Sequence, residues 1–188
     1  MARAEDVYMT VSCGDLYLQI NGRYLPVEGG IRQADDGAAW LPVRVLATAL
    51  GAQVAWTGQV ELTTGGSPLT EATRPYSDED LDILSRVIQH EAGYEPMQGR
   101  IAVGNVIMNR VHSPSFPDTV SGVVYARNQF PGATNATPRE GAILAAKLAL
   151  EEVNVVPGAY YFNGVGKPCW ASRNKAHLYT IGGHAFYG

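Results

Sequence analysis

Leu84, Ile88 and Glu91 follow one another at spacings of four and three residues, which on an α-helix puts them on one face. An apolar stripe that ends in a carboxyl group predicts a buried acid. Desolvation disfavours the charged carboxylate, so such a Glu can keep its proton near neutral pH and donate it to a glycosidic oxygen. The same spacing also fits a Glu at a solvated helix end or in a structural ion pair. Glu95 lies four residues on, but Gly93 and Pro96 break the helix, so the two carboxyls do not share a face. Glu95 is expected to cap the helix that Pro96 opens. Asp118 is the other acid near a suggestive stretch, with an ordinary loop position as its alternative. Thr119 and Ser121 can hydrogen-bond an acid or a water, which makes Thr119 a second catalytic candidate. Asp118 to Gly122 reads equally as a helix start.

Tyr160, Tyr161 and Asn163 have the aromatic-plus-amide character of a sugar subsite: rings cover apolar sugar faces and an amide reads an acetamido group. A half-buried strand would carry the same aromatics. Metal chemistry is poorly served. His90-Glu91 begins like a zinc-protease motif, but Tyr94 stands where the second His is required. His177 and His184 read as structural residues bonded to backbone, and no metal or cofactor is expected. Cys13 and Cys169 lack C-x-x-C spacing and are expected as two lone buried thiols rather than a disulfide.

The elements that must position these groups are punctuated clearly. Ser77 suits an N-cap, with Asp78, Glu79 and Asp80 in the first turn and Leu81, Leu84 and Ile88 as the buried stripe. Gly93 ends that helix, and Pro96 starts another through Ile101–Met108, apolar nearly all round and therefore central. Thr137-Pro-Arg-Glu140 reads as a capping box for a helix reaching Asn154. Ala159–Phe162 is a candidate strand, and His177–Ile181 with His184–Tyr187 form a hairpin about Gly182-Gly183.

Upstream the pattern is one of short strands. Tyr8–Val11 and Asp15–Ile20 precede an Asn21-Gly22 turn, and Arg23–Val27 returns. Trp40–Gly51 contains a short helix, and Gln53–Trp56 and Gln59–Thr63 flank Thr57-Gly58. Residues 65–76, rich in Gly, Thr, Ser and Pro, read as a linker. The chain is therefore expected to be α+β: a mostly strand module over residues 1–64, the linker, and an α+β domain over 77–188.

At 46% hydrophobic and 17% charged, the 188 residues can bury a core. The net charge of −4 and the absence of any basic run argue against nucleic acid. No apolar run approaches the ~20 residues of a membrane span, and Met1–Asp6 leads into no signal-like segment.

Leu41–Arg44, Leu50–Ala52 and Val54–Trp56 resemble the hallmark of the copper amine oxidase N-terminal-like domain, an accessory module for which no copper chemistry is implied here. His90–Val111 and Ser113–Val123, continued through Gln129-Phe130, Tyr160–Asn163 and Ile181–Tyr187, resemble the spore cortex-lytic SleB/CwlJ cell-wall hydrolases. That resemblance implies a lysozyme-like, lytic-transglycosylase-like fold, with peptidoglycan as partner and Glu91 as catalytic acid. It further implies cleavage between N-acetylmuramic acid and N-acetylglucosamine, with Gln129, Phe130, Tyr160, Tyr161 and Asn163 as substrate-binding candidates and an extracytoplasmic site of action. The chain reads Glu-Ala-Gly-Tyr-Glu-Pro where that family usually has Arg after Ala, a departure at the edge of the cleft that leaves the Glu in place. A non-catalytic wall-binding protein and a zinc amidase or peptidase are the competing readings.

Overall fold

The computed structural model describes residues 7–188, and residues 1–6, with the reading made of them, lie outside it. The chain divides into two compact units, one ending at Pro75 and the other spanning Tyr76–Gly188.

In the first unit β1 (Met9–Thr10), β2 (Tyr17–Ile20) and β3 (Arg23–Pro26) form an antiparallel sheet in the order β1-β2-β3. Asn21 and Gly22 both have positive φ, 47° and 82°, as the two-residue turn between β2 and β3 requires. Two short hairpins follow, β4 (Arg32–Gln33) with β5 (Ala39–Trp40) and β6 (Gln53–Trp56) with β7 (Val60–Thr63), separated by α1 (Val43–Ala49). Pro42 is the N-cap of α1, and Gly51 follows its end at φ 68°. Leu18, Ile20, Val27, Ile31 and Ala49 make the core.

The stretch read as a linker does not run free. Leu69 packs on that core and donates its N–H to Ala49, and the Arg23 guanidinium donates to the Thr73 carbonyl at 2.6 Å. A low-complexity composition describes local propensity only, and these long-range bonds hold the segment to the first unit.

The second unit is built around α3 (Met97–Val111). It packs against α2 (Asp78–Ala92) and α5 (Glu140–Leu150), which also pack on each other, with α4 (Val120–Val124) beside α2 and α3. At Gly104 the helices approach so closely that an added Cβ would lie 3.0 Å from both Ala149 Cβ and Ile88 Cδ1. β8 (Tyr161–Gly164), β10 (His184–Tyr187) and β9 (His177–Ile181) form an antiparallel sheet in the order β8-β10-β9, with Phe186 opposite Phe162. Phe186, Val156 and Ala159 pack on Ala102 and Val106 of α3, joining the strand and helix layers. A short α6 (Trp170–Asn174) lies between β8 and β9.

Several local expectations shift. The Thr137 capping box does not form: α5 starts at Glu140 with Arg139 as N-cap, whose N–H is taken by Gln89 Oε1 of α2 at 3.0 Å. The helix stops at Leu150, and Glu152 turns left-handed at φ 67°. β8 starts two residues later than the aromatic run suggests, because the Val156, Ala159 and Tyr160 carbonyls accept from Asn109 and Arg110 rather than from a strand.

Asn105, 1% exposed, donates to the Val153 carbonyl and accepts the Val155 N–H, both at 2.8 Å. Asn105→Ala strands both backbone groups in the core and should lower the urea midpoint of this unit by the equivalent of about 3 kcal/mol. Glu95 does not cap α3, whose N-cap is Pro96. Its Oε2 instead accepts the Gly183 N–H at 2.8 Å, in the β9–β10 turn. Glu95→Ala should speed amide exchange at Gly183 while changing global stability by only about 1 kcal/mol, since the freed N–H can turn to water.

Candidate functional site

Glu91 occupies the last turn of α2, whose start is fixed by Ser77. Ser77 Oγ accepts the Asp80 N–H at 3.0 Å, and Asp80 Oδ2 accepts the Ser77 N–H at 3.2 Å. The periodicity that buries Leu84 and Ile88 completely carries Glu91 to a cleft wall, where it is half-buried rather than enclosed as the stripe alone suggested. Beyond Ala92 the helix cannot continue: Gly93 is the C-cap, its carbonyl accepts from Arg100 Nη2 at 3.1 Å, and Pro96 follows.

The cleft has a volume of about 550 Å³. Glu91 and Arg110 come from α2 and α3, Gln129 and Phe130 from the loop after α4. Tyr161, Phe162, Asn163 and Gly164 come from β8, Lys167, Cys169, Trp170 and Ala171 from the segment into α6, and His184 from β10. Among the described residues Glu91 is its only carboxylate, and it makes no hydrogen bond or ion pair. Tyr161 and Trp170 meet edge to face at 5.6 Å, and Lys175 Nζ lies 5.4 Å and 5.7 Å from their ring centres. This aromatic corner beside the Asn163 amide is suited to the apolar face and acetamido group of an amino sugar.

The structure therefore brings Glu91, Gln129, Phe130, Tyr161 and Asn163 together. It separates Tyr160, which stacks on Phe116 at 5.7 Å and is not among the lining residues. Thr119 is exposed and its Oγ1 accepts the Gly122 N–H at 3.0 Å, so it serves as the N-cap of α4 and not as a partner of Glu91. Asp118 is exposed on the adjoining loop. Gln129 is exposed and turns its Oε1 to Arg110 Nη1 at 2.7 Å.

Arg110, Lys167, Cys169, Trp170 and His184 enter the cleft without having been singled out in the sequence as cleft residues. The two histidines were read there as bonded to backbone. His184 Nδ1 instead lies 3.7 Å from Glu95 Oε1 with no hydrogen-bond partner, and His177 meets the Thr180 hydroxyl at 2.9 Å. Both cysteines are free; Cys13 is exposed, contrary to the expected burial. At Cys169, desolvation pushes the thiol up, but donors from Ser172, Ala171 and Asn163 outweigh it and hold the pKa below the ordinary value. Among the described residues no group of three or more His, Cys, Asp or Glu side chains is placed to hold a metal ion, and no helix is long and apolar enough to cross a membrane.

Comparison with known proteins finds relatives of the chain. The spore cortex-lytic enzyme of Halalkalibacterium halodurans is 35% identical over 122 residues, covering 62% of this chain and 37% of that protein. That of Oceanobacillus iheyensis is 32% identical over 128 residues, covering 65% and 46%. The chain thus spans less than half the length of these curated relatives. The crystal structure of the catalytic domain of Bacillus cereus SleB matches with a TM-score of 0.55 at 30% identity, over 60% of this chain and 92% of that one. The catalytic domain of the germination-specific lytic transglycosylase SleB from Bacillus anthracis matches with a TM-score of 0.56, also at 30% identity, over 61% and 98%. The sequence profile described as Cell Wall Hydrolase matches residues 94–187, starting three residues after Glu91. Matched over half of its 188 residues, the chain belongs to the Cell Wall Hydrolase family.

Proposed function

We propose that this chain cleaves the β-1,4 bond between N-acetylmuramic acid and N-acetylglucosamine in peptidoglycan as a lytic transglycosylase. Glu91 is general acid and then general base. The observation that carries this reading is that Glu91 is the only carboxylate lining the cleft among the described residues. A retaining or inverting glycosidase needs a second carboxyl, about 5 Å away or somewhat more. Glu95, the nearest candidate in sequence, holds the Gly183 N–H instead.

One carboxyl suffices when the sugar supplies its own nucleophile. The Glu91 carboxyl protonates the glycosidic oxygen as the bond to the anomeric carbon breaks, releasing the N-acetylglucosamine end with its new hydroxyl. The C6 hydroxyl of the muramyl residue then attacks the anomeric carbon, and the Glu91 carboxylate takes the proton that this hydroxyl loses. The product is a 1,6-anhydromuramyl end, no water is consumed, and Glu91 returns to its starting state. Tyr161, Trp170 and Asn163 hold the sugars against the acid. Spore cortex-lytic relatives and the Cell Wall Hydrolase family support action on spore cortex or cell wall, hence outside the cytoplasm, and the first unit is read as an accessory module for docking there.

Mass spectrometry of fragments released from purified peptidoglycan tests the assignment. Wild type should release anhydromuramyl products with or without chelator, and Glu91→Gln should release them at least about 10³-fold more slowly. Reducing ends would mean a water-using glycosidase, and chelator-sensitive cleavage of peptide stems a zinc amidase. Release of nothing by wild type would mean a binding protein. Because its donors favour the thiolate, Cys169 in a Cys13→Ser background should react with iodoacetamide with a pH midpoint below that of an ordinary thiol. The bulky adduct should block cleavage.

A further inference from the structure

We infer that the floor of the cleft is a carboxylate subsite, in which the Arg110 guanidinium receives a carboxylate carried by the substituent of the muramyl residue. The inference rests on the glycan-strand reading above and names what that cleft selects.

Arg110 is 6% exposed and lines the cleft. A buried guanidinium is ordinarily matched by a carboxylate, because an uncompensated charge in a low-dielectric site is strongly unfavourable. Here the partners are neutral. Nε donates to the Tyr160 carbonyl and Nη1 to Gln129 Oε1, both at 2.7 Å, and Nη2 makes no hydrogen bond with any described residue. No carboxylate among the described residues pairs with Arg110, Glu91 included. The rings of Phe116, Phe130 and Tyr161 lie 5.3, 5.8 and 5.5 Å from Cζ, so cation–π attraction offsets part of the desolvation and packing fixes the guanidinium plane. Burial still pushes the Arg110 pKa below its ordinary value, the sign of a cation left under-compensated.

The charge of the whole cleft points the same way. Arg110 and Lys167 line it against Glu91 alone, and neither cation forms an ion pair among the described residues, in a chain of net charge −4. An acidic protein that gathers unpaired cations around one working acid is suited to a substrate bearing negative charge. N-acetylglucosamine has none. The muramyl residue carries a lactyl carboxylate when bare and stem-peptide carboxylates when substituted, and a guanidinium held by its neighbours is pre-organised for either.

The test is calorimetry with the full chain carrying Glu91→Gln, so that no ligand turns over. Three muramyl-glucosaminyl tetrasaccharides are compared: the free lactyl acid, its methylamide, and a stem-peptide form. The free acid should bind about tenfold tighter than the methylamide, with affinity falling as salt rises. Tight binding by the stem form alone would place the carboxylate on the peptide. Addition of Arg110→Gln should erase the preference, and Arg110→Lys should keep part of it. Binding of all three ligands within about twofold of one another would overturn the subsite. So would a preference that survives in a folded Arg110→Gln variant. If Arg110→Gln does not fold, the comparison of acid with amide on the parent protein still decides. Wild-type cleavage, assayed in parallel, is a separate readout: no product together with a clear acid preference would sink the transglycosylase reading and leave the subsite standing.

Discussion

The second unit depends on a row of polar side chains on an otherwise apolar helix. Asn105, Asn109 and Arg110 project from α3 and reach the chain between Val153 and Tyr160. Asn105 bonds Val153 and Val155, Asn109 takes the Val156 and Ala159 carbonyls, and Arg110 takes that of Tyr160. Apolar packing alone is non-directional, and a smooth helix could slide against a strand layer at little penalty. Buried donors and acceptors permit one register, because any other leaves amides and carbonyls unsatisfied. That register delivers β8 to the cleft with Tyr161 and Asn163 in its wall, so the placement of these lining residues rests on the polar bonds that α3 makes.

The same economy of partners separates two glutamates four residues apart. Gly93 and Pro96 interrupt the helix between them, so Glu91 ends α2 facing the cleft while Glu95 faces the β9–β10 turn and holds Gly183. One carboxylate is fully committed to structure. The other is left without a partner among the described residues, which is the condition under which a carboxyl can give and take a proton with a ligand.

What was legible in the sequence was local chemistry. Ser77 with Asp80, Asn21-Gly22, Gly51 and Gly182-Gly183 each act within a few residues, and each forms as its residue types dictate. That Glu91 follows Leu84 and Ile88 along α2 was legible too, whereas its half-buried place in a cleft wall was not. What was hidden depends on residues distant in the chain. Glu95 meets a partner 88 positions away. Arg139 finds Gln89 instead of the Thr137 box, and Leu69 and Thr73 of the supposed linker dock on Asn21, Ala49 and Arg23. Arg110 drew no reading of its own from the sequence, and only the fold shows that its neighbours are neutral. At Thr119 the sequence left catalysis and a helix start both open, because a hydroxyl suited to one is equally suited to the other, and the helix start, which needs no tertiary partner, is what forms.

A single acid that serves both steps of the proposed reaction places a stricter demand on position than a pair of carboxylates would. It must stand within hydrogen-bond reach of the glycosidic oxygen and then of the C6 hydroxyl, without a second group to correct an error of placement. A helix end is ordinarily the part of a helix that frays. Here the end is fastened on both sides of the break: Arg100 binds the Gly93 carbonyl, and Glu95, two residues further on, is tied to the sheet through Gly183. The Glu-Ala-Gly-Tyr-Glu-Pro stretch thus works as a unit in which the second glutamate steadies the first. Of the two departing residues, Gly93 is itself the first anchor and leaves room for the Gln89 side chain, while Tyr94 lies between the anchors and is 94% exposed.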